Sequence, residues 1–118
     1  MTDELPKNVE VALSSLAELA VEWWRLERWA AGEAGESAPQ ARHVARRMGR
    51  FLSAHGLEVL DIKGRAYEPG LAVEVLDAYK DAMLPAGAQV VEETVSPIVL
   101  WRGSVIRYGQ VVLKTSHE

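Results

Sequence analysis

The sequence contains no cysteine. That excludes disulfides, thiol catalysis and Cys-ligated zinc, and it fits a reducing compartment. No apolar run approaches the ~20 residues of a membrane-spanning helix. Met1-Thr-Asp-Glu4 has neither the charged start nor the apolar stretch of a secretion signal. A cytoplasmic location, without membrane contact, is therefore expected. Positive charge is in deficit: 13 Lys and Arg face 17 Asp and Glu, a net charge of −4. Such a chain has no overall basic field to attract nucleic acid or anionic lipid. The three histidines, His43, His55 and His117, show no metal-ligand spacing. Paired acids, a nucleophile with its base, and a phosphate loop are all missing, so neither enzymatic activity nor a cofactor or metal is expected.

What remains is an ordinary globular composition, 48% apolar and 25% charged over 118 residues. That length suits one domain, or one small domain carried on a helical piece. A chain this short buries only about two-thirds of its unfolded surface.

Helical spacing predicts a first helix from Lys7 to Ala30. Val9, Leu13, Leu16, Ala20 and Trp23 recur at three and four residues, and Ala12, Leu16, Leu19, Trp23, Leu26 and Ala30 form an overlapping row. With Trp24 the two rows span roughly half the circumference at ~100° per residue. One partner helix needs a narrower stripe, so two packing neighbours are expected, as in a bundle. Glu10, Glu18, Glu22, Arg25 and Arg28 occupy the opposite face, and Glu27 is expected at the end of the buried seam. The Trp23, Trp24 and Trp29 cluster reads as core and subunit packing rather than a stacking site, with Trp29 on the polar side.

Gly32 and Gly35 punctuate a short connection to a second helix, Ser37 to His55. Ser37 is a candidate N-cap with Gln40 at capping-box spacing, Pro39 lies in the permissive first turn, and Gly56 is the stop. Ala41, Val44, Ala45, Met48, Phe51, Leu52 and His55 form its apolar face. Arg42, Arg46, Arg47 and Arg50 form a basic one with no acid among them. No aromatics interleave with these arginines, which favours a solvated face complementing the first helix's carboxylates over nucleic-acid binding.

From Leu57 the period changes to that of short strands. They are expected over Leu57 to Ile62, from Val73 to Val75 onward (Leu71 to Met83 also reads as a helix), over Gln89 to Val95, and over Ile98 to Trp101. A turn follows at Arg102-Gly103-Ser104, then a pairing of Val105 to Tyr108 with Val111 to Lys114. The fold expectation is α+β: an antiparallel helical hairpin over residues 1–56, then a small, mainly antiparallel β domain over 57–118.

Four motifs in order, within Ala12 to Thr115, resemble GrpE, the nucleotide exchange factor of DnaK-type chaperones. His55-Gly-Leu-Glu-Val-Leu60 is similar to the family's H-G-V-E-x-I, and Gly64-Arg-Ala-Tyr-Glu-Pro-Gly-Leu-Ala-Val-Glu-Val75 to its G-x-x-F-D-P-x-x-H-E-A-V. Pro85-Ala-Gly-Ala-Gln-Val-Val-Glu92 is similar to P-G-T-V-V-E, and Trp101-Arg-Gly-Ser-Val-Ile-Arg-Tyr-Gly-Gln-Val-Val-Leu113 to L-N-G-R-V-I/L-R-x-A-x-V-x-V.

The resemblance implies a homodimer whose two hairpins form a four-helix bundle, in a short form without the family's long stalk. Leu13, Leu16, Leu19, Ala20 and Trp23 are the candidate dimerisation residues. It also implies a β domain that wedges into the chaperone's nucleotide-binding domain and releases ADP, with Pro69, Gly103, Arg107, Val111 and Leu113 framing the contact. The pattern departs from the family at Ala72, where a His is usual, at Ser96-Pro97-Ile98, where Lys-Gly-Tyr is usual, and at Ser104, where an Arg is usual. These departures are expected on the polar surface more than in the core. They favour an alternative, an adaptor dimer that keeps the fold, has lost exchange and recruits another protein.

Overall fold

A computed structural model describes residues 5–116; the expectations resting on Met1–Glu4 and on His117 lie outside them. The chain runs as α1 (Leu13–Gly32), α2 (Ala38–Ala54), β1 (Leu57–Leu60), β2 (Val73–Lys80), β3 (Gln89–Ser96), β4 (Ile98–Trp101), β5 (Ser104–Arg107) and β6 (Gly109–Thr115). It is α+β, with two helices and two three-stranded sheets.

α1 begins six residues later than Lys7, the start the spacing predicts. Val9 is 82% exposed and Val11 52%, so neither gains the burial that holds a helix end in place. Both are β-branched, which adds a χ1 entropy penalty in a helix. No side chain caps Ala12, the N-cap residue. α2 matches its expected range within a residue. Ser37 stands at its N-cap without a side-chain capping bond, so the capping box with Gln40 is not formed. Gly56 ends α2 at φ +85°, a conformation that disfavours any residue with a Cβ.

The helices lie antiparallel. The Arg42 guanidinium, near the start of α2, donates to the carbonyls of Ala30 and Glu33 at the end of α1 (3.3 and 3.2 Å). Farther along, the Trp23 indole N–H donates to the Ala45 carbonyl at 2.8 Å. Its ring covers Gly49 so closely that a Cβ there would lie 2.7 Å from Trp23 Cζ2.

One sheet has the order β1-β4-β5 and is antiparallel throughout; the other has the order β2-β6-β3, with β2 parallel to β6. The strand expected from Val73 onward forms, and the alternative helix over Leu71 to Met83 does not, because β6 supplies its hydrogen-bonding partner. One expectation is corrected. The pairing expected between Val105 to Tyr108 and Val111 to Lys114 does not form: β5 pairs with β4, and β6 sits between β2 and β3. Gly109 makes the crossing between sheets. It is buried, its N–H donates to the Ala72 carbonyl, and a Cβ on it would meet the Ser96 carbonyl oxygen at 2.9 Å.

Two hydrophobic clusters form, and β4 contributes to both. Ala17, Ala20 and Val21 of α1 meet Leu52, Leu57 and Val99, with Leu16, Trp23, Trp101 and Ile106 at the margin. Ile62, Val91, Ile98, Val111 and Leu113 form the second cluster. α1 thus has two neighbours as its wide arc requires, and one of them is the β1-β4-β5 sheet of its own chain.

Candidate functional site

The β4–β5 hairpin turns at Arg102 (φ +48°) and Gly103 (φ +84°), two consecutive left-handed residues that match the twist of the flanking strands. Its tip is tied to the helices. The Arg102 N–H donates to the Gly56 carbonyl at 2.9 Å, and the Trp101 indole N–H donates to the His55 carbonyl at 3.2 Å. The Arg102 guanidinium lies 4.6 Å above the Trp101 ring, a cation–π contact. A Cβ on Gly56 would stand 3.0 Å from Arg102 Cγ. The end of α2 and the hairpin tip are therefore one joint.

Of the residues expected to frame a chaperone contact, Gly103 is exposed at that tip and Pro69 is exposed on the connection leading to β2. Arg107, half-buried, lines a shallow depression with Ser15, Glu18, Glu22 and Arg25 of α1. Val111 (0% exposed) and Leu113 (3%) are core residues of the second sheet. That corrects their place at a contact surface: they hold the sheet, and their side chains are not presented.

The departures from the family pattern also sort differently from expectation. Ser104 is exposed beside the turn and Ala72 is half-buried. Ser96, Pro97 and Ile98 are buried where β3 passes into β4, so this change belongs to the core and not to the polar surface. Among the described residues the Ser96 and Thr94 hydroxyls are buried without a hydrogen-bond partner, each costing about 1–3 kcal/mol.

The candidate dimerisation residues divide as well. Ala20 is 1% exposed inside its own chain, Leu16 and Trp23 are half-buried, and Leu13 (39%) and Leu19 (41%) are open. Trp24, at 5% exposure, is the buried tryptophan of α1, with the Arg28 guanidinium 4.4 Å above its ring. Glu27 is exposed and not part of a buried seam. Sequence reasoning placed Val44, Met48 and Phe51 on the apolar face of α2 without assigning them to an interface. Val44 is 44% exposed and Phe51 55%, and with Arg47 and Met48 they line a groove on the hairpin's outer surface. The signal for them is that α2, like α1, carries a stripe wider than one partner helix covers.

A polar cluster on the second sheet was not legible in advance. Lys114 Nζ lies 2.8 Å from Glu92 and 3.7 Å from Asp81. The hydrogen bond from Lys114 holds the Glu92 carboxyl below its ordinary value, and the same bond raises Lys114. Partial desolvation, then the Glu92 charge, raises the Tyr79 phenol. Among the described residues no group of acids and histidines is arranged to hold a metal, and no helix is long and apolar enough to cross a membrane. No protein-family profile and no curated protein matches the chain.

Proposed function

We propose that this chain is a GrpE-like co-chaperone: a homodimer that docks its β domain on the nucleotide-binding domain of a DnaK-type chaperone and promotes ADP release. One observation carries the reading. The hairpin that bears the family-like Trp101 to Arg107 motif is bonded at its tip to the end of α2, through Arg102 to Gly56 and Trp101 to His55. A wedge must be stiff relative to its support, and this joint makes the β4–β5 hairpin an extension of the helical pair. Exchange then works by differential binding: the β domain favours the open, nucleotide-poor state of its partner, and shifts that equilibrium by no more than its affinity difference between the states. Gly103, Ser104 and Pro69 are the exposed positions best suited to the contact.

A second reading, an adaptor dimer without exchange activity, is favoured by Ser104. The charged side chain usual in the family is missing at this exposed position beside the hairpin turn. Release of labelled ADP from the DnaK-type chaperone of the same organism, followed by stopped flow, separates the two. Acceleration that saturates with this protein supports exchange, and binding without acceleration supports the adaptor.

A further inference from the structure

β1 is an edge strand, since its sheet runs β1-β4-β5. The Arg102 N–H donates to the Gly56 carbonyl, and the pairing continues in register with Glu58 opposite Leu100 and Leu60 opposite Ile98. Hydrogen-bonded pairs alternate along an antiparallel ladder, so the N–H and C=O groups of Leu57 and Val59 point away from β4, out of the sheet. Among the described residues, no group outside the ladder is bonded to them. Two other edges are protected. The segment 64–67 covers β3, with the Gly64 N–H on the Val91 carbonyl and the Tyr67 N–H on the Gln89 carbonyl. β2 carries Glu74, Asp77 and Lys80 along its length, and the Asp77 carboxylate takes the Ala78 N–H at 2.8 Å. β1 has a single charge, Glu58, and no covering segment among the described residues.

Beside this open edge lies an apolar pocket of about 160 Å³. Ala20 and Trp23 of α1, Gly49 and Leu52 of α2, and Leu57 and Val59 of β1 line it. No residue of β4 does, so the pocket sits on the free side of β1. The Leu57 and Val59 side chains face the helices and join the first core. A strand added along β1 would therefore turn every second side chain toward the helices, at the level of the pocket. A cavity of ~150 Å³ holds a benzene-sized group, so this one suits a single leucine or phenylalanine side chain. The approach to it is basic. Trp23, Gly49 and Ser53 also border a neighbouring depression that holds His43, Arg46 and Arg50, with Glu27 as the acid among them. Arg46 and Arg50 are exposed and make no ion pair among the described residues.

We propose that β1 and this pocket take an extended, acidic peptide segment of another protein, added to the sheet as a further strand. An apolar side chain of the segment fills the pocket, and acidic residues two positions from it face Arg46 and Arg50. Side chains alternate along a strand, so an acid at that spacing lies on the same side as the apolar residue. Backbone bonds to Leu57 and Val59 supply the pairing, and the pocket selects the side chain. The two arginines favour acidic segments and oppose basic ones. The site uses none of Pro69, Gly103 and Ser104, the positions assigned to the chaperone contact. It therefore goes beyond nucleotide exchange, and it gives an adaptor the place at which a second protein is recruited.

Fluorescence anisotropy of a labelled peptide, Thr-Glu-Thr-Leu-Thr-Glu-Thr, tests this on the full-length chain. The leucine and both glutamates share one side of the extended peptide, and threonine favours that conformation. Saturable binding is expected. Lysine in place of the leucine, or of both glutamates, should weaken it about tenfold or more. So should Ser53→Phe, which fills the pocket from an exposed position, and the double variant Arg46→Glu, Arg50→Glu, each checked for wild-type circular dichroism. Methylating alternate peptide nitrogens leaves the protein untouched and reads the pairing itself. One alternate set should bind like the parent peptide and the other should lose binding, because only every second N–H faces β1. Binding indifferent to both sets would mean that the side chain alone is captured, and would overturn strand addition. No saturable binding to the folded wild-type chain would overturn the site. Self-association that Ser53→Phe abolishes, without peptide binding, would assign the edge to a second copy and overturn the peptide as its occupant.

Discussion

Replacing Gly49 with alanine sets helix propensity against packing, and the structure decides which prevails. Gly49 lies inside α2, where alanine is ordinarily favoured by about 1 kcal/mol. Its new Cβ would fall 2.7 Å from Cζ2, 3.0 Å from Cε2 and 3.1 Å from Nε1 of Trp23. Carbon atoms do not approach so closely, so the indole must move. The indole is not a free end, because its N–H is bonded to Ala45 at 2.8 Å and its margin packs on the first core. Overpacking costs typically 1–3 kcal/mol, and weakening the indole hydrogen bond adds about 1 kcal/mol. The net expectation for Gly49→Ala is a loss of about 1–3 kcal/mol. Gly32→Ala is the control, since nothing lies within 4 Å of a Cβ there, and it should be neutral or slightly stabilising. Urea denaturation followed by circular dichroism gives both values at one protein concentration. A Gly49→Ala variant as stable as Gly32→Ala would refute the claim that Trp23 is locked against α2.

Gly109→Ala should cost more than Gly49→Ala and fail to fold in the limit, because its Cβ meets backbone, Ser96 O at 2.9 Å and Ile98 N at 3.0 Å; a urea midpoint near wild type would contradict this. The Glu92–Lys114 pair should give a pH dependence on both sides of neutrality. Glu92 is lowered on folding, so its contribution is present above the ordinary carboxylate range and lost as pH falls through the depressed value. Lys114 is raised, so its contribution is present below the ordinary lysine range and lost as pH rises through the elevated value. The stability difference between wild type and Lys114→Met should therefore be flat around neutrality and shrink on acidification; a difference that stays constant into the acid range would show that the pair contributes nothing.

Much of the fold is legible in the chain because it rests on local signals. The second helix, its glycine stop and the Arg102-Gly103 turn each depend on residues within a few positions of one another. What escaped depends on distant partners. Val9 continues the helical spacing, yet it is 82% exposed, and α1 starts at Leu13, one turn before Leu16 and Ala17 reach the first core. The strand from Val73 is legible, beside a helical alternative over Leu71 to Met83 that only pairing with β6 removes. Arg107 reads as a docking residue beside a glycine turn, but α1 lies next to it. Val111 and Leu113 alternate as an exposed strand face would, and only the second core shows which way they point.

The central claim is that the rigid β hairpin opens a chaperone's nucleotide cleft, and ADP release tests it most directly. A DnaK-type chaperone loaded with fluorescent ADP is mixed with excess unlabelled nucleotide and increasing amounts of this protein. The account predicts a release rate that rises and saturates, and that falls back toward the basal rate when Ser104→Trp crowds the exposed position beside the turn. A basal rate that stays unchanged at saturating, demonstrably bound protein would contradict it.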